Sequence, residues 1–204
     1  MFYNVLDKKR QNILPLLSSF KKEFYLAGGT ALALQLGHRS SIDFDYFSNK
    51  NIDTREVLSR MKDAFNGHKI LKVREEENTL IVLIDEEILL SFYGYKYKLI
   101  NNLIKEEYFN LASIEDIGCM KFSAIIGRKE NKDYIDLYYI LQKIKLRELL
   151  RLASLKFPEI DSNLILKNLV YLKDIENSPI KFKNNNKITL KEVEKFMKRV
   201  VVLN

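Results

Sequence analysis

The stretch from Phe24 to Phe47, FYLAGGTALALQLGHRSSIDFDYF, constrains the fold more than any other part of the chain. Phe24 to Ala27 is a short apolar run that predicts a strand, and Gly28-Gly29 follows where the backbone must turn. Thr30 is suited to cap a helix through Ala31 to Leu36, and Gly37 is suited to stop it. From Ile42 to Phe47 the pattern has period two. A second strand is predicted, with Ile42, Phe44 and Tyr46 on one face and Asp43, Asp45 and Phe47 on the other. Strand, turn, helix and strand thus follow one another with almost no loop between them.

The same reading extends to the rest of the chain. Val5, Ile13, Leu14, Leu17 and Phe20 have helical spacing interrupted by Pro15, which predicts a kinked helix or two short ones. A helix with Thr54 near its cap precedes strands around Lys69 to Arg74, Thr79 to Ile84 and Ile88 to Tyr93, the last two joined by Asp85-Glu86-Glu87. From Ser113 onward the pattern is helical, at 113–127, 131–144, about 146–156, about 161–172 and from about Thr189. We expect an α/β (α+β) fold: an α/β core over residues 1–112 with a mixed sheet, and a C-terminal helical region over 113–204 packed on it, since no Gly/Ser/Pro-rich linker separates them. Lys181 to Lys187 reads as a polar loop.

Composition narrows the chemistry. The 204 residues suffice for a substantial core, and no apolar run approaches the roughly 18 residues of a membrane span. Met1 to Arg10 lacks the pattern of a signal peptide, so a cytoplasmic location with no membrane partner is expected. The one cysteine, Cys119, lies among apolar residues and reads as a small buried hydrophobe. Two histidines leave little for Cys/His zinc sites or a histidine-based triad. The net charge of +7 and pI near 9.2 are compatible with a polyanionic partner, although the lysines are spread among glutamates.

Asp43 and Asp45 carry the most pointed chemistry. Two residues apart on a strand, their carboxylates project from one face and repel unless a cation sits between them. Mg²⁺ or Mn²⁺ suits such oxygens together with substrate phosphates. The bland reading is two solvated aspartates. Gly28-Gly29-Thr30 lies at a strand-to-helix turn, where free N–H groups and the helix dipole favour a phosphate; the bland reading there is an ordinary glycine turn. Together, the two features place a phosphate cradle beside a carboxylate pair on adjacent strands.

The segment FYLAGGTALALQLGHRSSIDFDYFS resembles the signature of the DNA polymerase β-like nucleotidyltransferases. More narrowly, Gly-Gly-Thr-Ala-Leu-Ala-Leu, Gly-His-Arg and Ser-x-Asp-Phe-Asp resemble the AbiEii/AbiGii toxin-like nucleotidyltransferase family. KFSAIIGRKENKDYIDLYYIL and LVYLKDIENSP are similar to later segments of that family, in the same order. The resemblance implies that Gly28, Gly29 and Thr30 bind the triphosphate of an NTP and that Asp43 and Asp45 are metal ligands and catalytic. It also implies roles for Lys121 and Arg128, which share a helix face seven residues apart, in reaching the nucleotide phosphates. Asp133 is placed at the active site, polarising the acceptor hydroxyl or orienting Lys121, and Lys132 beside the nucleotide. Without the family, Lys121 and Arg128 are surface cations, and Lys132 pairs with Asp136 at i,i+4. His38 and Arg39 pack the turn or contact substrate. One departure stands out: where many superfamily members place a third carboxylate, the strand Ile88 to Tyr93 offers Ser91.

The expected activity is transfer of a nucleoside monophosphate from an NTP to an acceptor. The resemblance implies a toxin of a toxin-antitoxin or phage-defence pair, acting on tRNA or protein, with a cognate antitoxin as partner. Modification of a small molecule such as an antibiotic would predict an acidic acceptor pocket. The rival class is a catalytically silent nucleotidyltransferase fold that binds nucleotide, RNA or a partner, which Ser91 keeps open.

Overall fold

The computed structural model describes residues 1–203. The helices are α1 Lys8–Asn12, α2 Leu14–Leu17, α3 Gly28–Leu36, α4 Thr54–Ala64, α5 Ile114–Gly127, α6 Asn131–Leu141, α7 Leu146–Lys156, α8 Ser162–Val170 and α9 Leu190–Val202. The strands are β1 Tyr25–Ala27, β2 Phe44–Ser48, β3 Ile70–Glu76, β4 Thr79–Ile84, β5 Ile88–Gly94, β6 Ile104–Lys105 and β7 Asn110–Leu111. They form one mixed sheet in the order β3-β4-β5-β2-β1-β7-β6, with β2–β5 and β1–β7 parallel and the other pairs antiparallel.

Alternation decides which face of this sheet is covered. Phe44 and Tyr46 of β2, Leu80 and Val82 of β4, and Leu90 and Phe92 of β5 are completely buried, and α4, with Val57 and Met61 buried, packs against β3 and β4. Phe20 and Phe24 close this core, their rings 4.9 and 5.2 Å from Phe92. Each such side chain removed from water contributes on the order of 1.5–3 kcal/mol. The alternate positions turn the other way: one row across the sheet runs Ala27, Asp45, Ser91, Ile81 and, past a register shift in β3, Arg74. That face is open above Asp45.

The N-terminal segment breaks as Pro15 requires, with Pro15 in the first turn of α2. α4 is capped by Asp53, whose carboxylate accepts from the Arg55 and Glu56 N–H groups. The three-residue β4–β5 connection turns through Asp85 and Glu86, both at positive φ, and the Glu87 N–H donates to the Ile84 carbonyl at 3.0 Å. Helices α5 and α6 pack on α3, and α5 also on α7 and α8. A buried pair, Asp116 and Lys156 at 2.8 Å, joins α5 to α7, and Asp116 also accepts from the N–H groups of Ile100 and Asn101. The loop after β5 is thereby fixed to the helices.

Three local expectations fail. Thr30 does not cap α3: the helix starts at Gly28 with Ala27 as its N-cap, and Thr30 is buried in its first turn. Ile42 is not on the covered face. It precedes β2, and its side chain is 53% exposed. Strands β6 and β7 escape the pattern because two residues cannot show a period; pairing with β1 makes them strands.

Candidate active site

A cleft of about 510 Å³ opens over the uncovered face of the sheet. Its floor is Asp43, Asp45, Ile81, Leu89, Ser91 and Tyr93. One wall is Gly29 and the loop Arg39–Asp43, and the other is Lys121, Arg128, Glu130, Lys132 and Asp133. Of the residues singled out in the sequence, Gly29, Arg39, Asp43, Asp45, Ser91, Lys121, Arg128, Lys132 and Asp133 line it, whereas Gly28, Thr30 and His38 do not.

Gly28 and Gly29 are glycines for different reasons. Gly28 has φ +68°, which disfavours a side chain, and a Cβ there would lie 2.8 Å from Asp45 Oδ2. The first turn of α3 therefore meets the Asp45 carboxylate directly. A Cβ on Gly29 would come within 2.5 Å of Arg39 Nη2. α3 has no side-chain cap, so its first N–H groups face the cleft free of side-chain partners. Thr30 uses its hydroxyl elsewhere, donating to the Asp43 carbonyl and lying 2.8 Å from Ser41 Oγ, whose hydroxyl is free to donate to it, which fixes the backbone that carries the carboxylate pair.

Asp43 and Asp45 are partly buried, and neither forms an ion pair among the described residues. Burial, followed by the charge of Asp43, pushes the Asp45 carboxyl up to about 6, although Lys121, Arg128 and the Ser91 hydroxyl pull it down. Burial also raises Asp43, against the opposing pull of Lys132, Arg10 and Arg39. Two carboxylates held together with their charge uncompensated form the donor set that a hard divalent cation takes, leaving its other positions to water and phosphate oxygens. Ser91 lies directly opposite Asp45 on β5. Among the described residues no third Asp, Glu, His or Cys joins the pair to complete a metal cluster.

The helical wall is different. Asp136 is completely buried, and Arg39 grips it with two hydrogen bonds, Nε to Oδ1 at 2.7 Å and Nη2 to Oδ2 at 2.8 Å. His38 Nε2 lies 2.8 Å from Oδ1, and Lys121 Nζ 2.6 Å from Oδ2. Burial opposes ionisation of Asp136, but Arg39 and Lys121 overcome it and hold the carboxyl well below the usual range. Burial lowers His38, outweighing the pull of Asp136. Lys121 also donates to Asp133 Oδ1 at 2.6 Å, and Arg128 Nε reaches Asp133 Oδ2 at 3.0 Å. The expected Lys132–Asp136 pair is absent, because Asp136 is occupied by Arg39 and Lys121 while Lys132 faces the cleft. Lys121 lines the cleft but is 5% exposed, with its ammonium shared between two aspartates. His38 and Arg39 both hold Asp136, and Arg39 also lines the cleft.

One wall was not foreseen. The segment after α8 pairs with Glu130 at Glu176 and with Arg39 at Phe182, and Ser40 N–H donates to the Lys181 carbonyl at 2.8 Å. Pro179, Ile180 and Lys181 thus border the cleft. The resemblance of LVYLKDIENSP to a late family segment was the available signal, but nothing local said where it would lie.

Comparison with known proteins agrees with this geometry. Residues 16–201 match the family described as nucleotidyl transferase AbiEii toxin, type IV TA system. The chain belongs to that family. An uncharacterised protein of Aquifex aeolicus is similar to this AbiEii-family chain at 38% identity over 185 residues, 88% of this chain and 86% of that protein. Among solved structures, the nucleotidyltransferase toxin MenT4 of Mycobacterium tuberculosis superposes with a TM-score of 0.65 at 17% identity, covering 95% of this chain and 80% of its own. JHP933 of Helicobacter pylori gives 0.56 at 21% identity, covering 96% and 89%. The AbiEii-family chain has the polymerase β-like nucleotidyltransferase fold. None of its helices is long and apolar enough to cross a membrane, among the described residues.

Proposed function

We propose that this protein transfers a nucleoside monophosphate from an NTP to a hydroxyl acceptor and releases pyrophosphate. The observation that carries the reading is the Asp43–Asp45 pair, uncompensated in charge and in contact with the uncapped first turn of α3. The acceptor oxygen bonds to the α-phosphorus as the α–β bridging bond breaks, the pair of electrons leaves with pyrophosphate, and the hydroxyl proton passes to solvent. Asp43 and Asp45 would hold Mg²⁺ or Mn²⁺, which supplies Lewis-acid polarisation of the phosphate oxygens.

The chain's own groups divide the remaining work. Gly28 and Gly29 bring backbone N–H groups against the phosphates, and Thr30 fixes the Asp43 carbonyl. Lys132 and Arg128 line the cleft and neutralise developing charge on the leaving group. Lys121 contributes a buried positive charge behind them. Both carboxylate oxygens of Asp133 are engaged, by Lys121 and Arg128, which favours a part in orienting these cations over polarisation of the acceptor hydroxyl. Residues 113–204 carry 18 Lys and Arg against 12 Asp and Glu, whereas residues 1–112 carry 16 against 15. That asymmetry favours an RNA acceptor such as tRNA over a protein one. An antitoxin partner follows from the toxin-antitoxin character of the family.

Ser91 favours a second reading. With no carboxylate opposite Asp45, a silent fold would still bind NTP. The deciding experiment incubates the protein with each α-labelled NTP, Mg²⁺ and total tRNA or cell extract, alongside Asp45→Ala. Label entering RNA or protein only with intact Asp45 supports the transferase. NTP binding without label transfer under any condition supports the silent fold.

A further inference from the structure

Asp43 stands outside the sheet that holds its partner Asp45. The ladder of β2 begins at Phe44, and residues 40–43 have no strand pairing. Side-chain packing does not hold this segment either, since Ile42 is 53% exposed. Its backbone is fixed by hydrogen bonds from three directions. The Ser40 N–H donates to Lys181, Thr30 donates to the Asp43 carbonyl, and Arg10 Nε donates to the Ile42 carbonyl at 2.6 Å.

Arg10 lies on α1, before residue 16 where the family match begins. It is only 3% exposed. A guanidinium so buried needs hydrogen-bond partners, and each of its three nitrogens has one: besides Nε, Nη2 donates to the Glu87 carbonyl at 3.0 Å and Nη1 to Asp7 Oδ2 at 2.5 Å. The planar fork therefore ties the backbone just before Asp43 to the β4–β5 turn and to α1 at once. No other side chain of the N-terminal segment shares hydrogen bonds with both of those backbones among the described residues.

We infer that Arg10 is a positioning residue, a clamp from the N-terminal helix that sets the Asp43 carboxylate against Asp45 in the geometry a divalent cation requires. The inference rests on the reading of Asp43 as a metal ligand. Loss of an outer partner that orients a ligand typically weakens metal binding about 10- to 100-fold.

The test measures Mn²⁺ binding without nucleotide, by the EPR signal of the free ion, together with deuterium uptake of the backbone spanning residues 40–44. Arg10→Ala should weaken Mn²⁺ by about 10- to 100-fold and speed uptake in that segment. Arg10→Lys should fall between, since one ammonium cannot reproduce the fork. Gln11→Ala is the control. Gln11 ties the same helix to the Tyr3 and Leu6 carbonyls but does not reach Ile42, so Mn²⁺ affinity should remain that of the parent.

Unchanged Mn²⁺ affinity and uptake in Arg10→Ala overturn the clamp, as does an equal loss in Gln11→Ala, which would mean general loosening. If Arg10→Ala does not fold, unchanged uptake in folded Arg10→Lys overturns it. A parent protein that holds Mn²⁺ no better than Asp43→Asn overturns the metal reading underneath. That failure is distinguishable, because uptake still rises in Arg10→Ala when the clamp itself is real.

Discussion

Two pairs of aspartates, one at the floor of the cleft and one within its helical wall, have opposite electrostatics. Asp43 and Asp45, on and just before β2, have no cation partner among the described residues, and burial with mutual repulsion drives the Asp45 carboxyl up to about 6. Asp133 and Asp136, one turn apart on α6, are completely buried yet engaged by Arg39, Lys121, Arg128 and His38. The difference separates a scaffold from a reaction centre. Compensated charge fixes geometry, whereas charge left uncompensated in a cleft is retained at a cost in stability and marks where a ligand completes the balance. The second pair holds in place the cations that face the first.

Exchanging the fates of the two pairs would break this comparison. The largest effect belongs to Asp45→Ala, which should lower label transfer by at least about a thousandfold, some 4 kcal/mol in the barrier, while thermal stability holds or rises. Parent-level turnover in this variant would end the proposed mechanism. Asp136→Ala should behave in the contrary manner. It strands Arg39 and Lys121 without their shared partner, and a broken buried pair costs roughly 3–5 kcal/mol, read as a lower urea midpoint. A stability like the parent's would show that the network on α6 is ornamental.

The contrast was half visible in the sequence. The first pair declared itself through local signals: period-two alternation placed Asp43 and Asp45 on one side, and a glycine turn one helix upstream marked the phosphate end. The second pair did not, because its meaning depends on Arg39, which reaches it from 97 residues away. Helical spacing alone suggested Lys132 as the partner of Asp136. Thr30 misled for the same reason. Its chemistry is that of a cap, but tertiary contact with Ser41 and Asp43 outcompetes the local hydrogen bond. Arg10 offered no signal at all. An arginine on a short helix is ordinarily a solvated charge, and only the folded chain brings the Ile42 carbonyl against it.

Gly29 lines the cleft in the first turn of α3 and packs on Arg39, which holds Asp136, so Gly29→Ala should affect both the cleft and the network behind it. Its new Cβ would meet Arg39 Nη2 at 2.5 Å, and the guanidinium cannot easily yield because Asp136 holds it by two bonds. Overpacking of this kind costs about 1–3 kcal/mol. We expect a melting temperature lowered accordingly and weaker NTP binding. The same loss in an Arg39→Ala background would show that the clash is elsewhere.

The smallest effect sharpens the comparison by proton linkage. The Asp45 carboxyl is raised from 3.8 to about 6 in the folded protein, so the folded state holds this proton more tightly than the unfolded chain does. Its contribution to stability is full below about pH 4 and is lost as pH rises through about 6. Stability without divalent metal should therefore fall across that window, and Asp45→Asn, which cannot ionise, should remove this part of the slope. At pH 7.5 the variant should be more stable than the parent by about 1–2 kcal/mol, since one pKa unit corresponds to about 1.4 kcal/mol and the carboxylate is partly solvated. Adding Mn²⁺ should reverse the order, stabilising the parent alone, because binding restores the balance that ionisation upset. Urea melts at pH 4.5 and 7.5, with and without Mn²⁺, would show both signs. A parent whose stability ignores Mn²⁺ at pH 7.5 would mean that the uncompensated pair is not waiting for a cation.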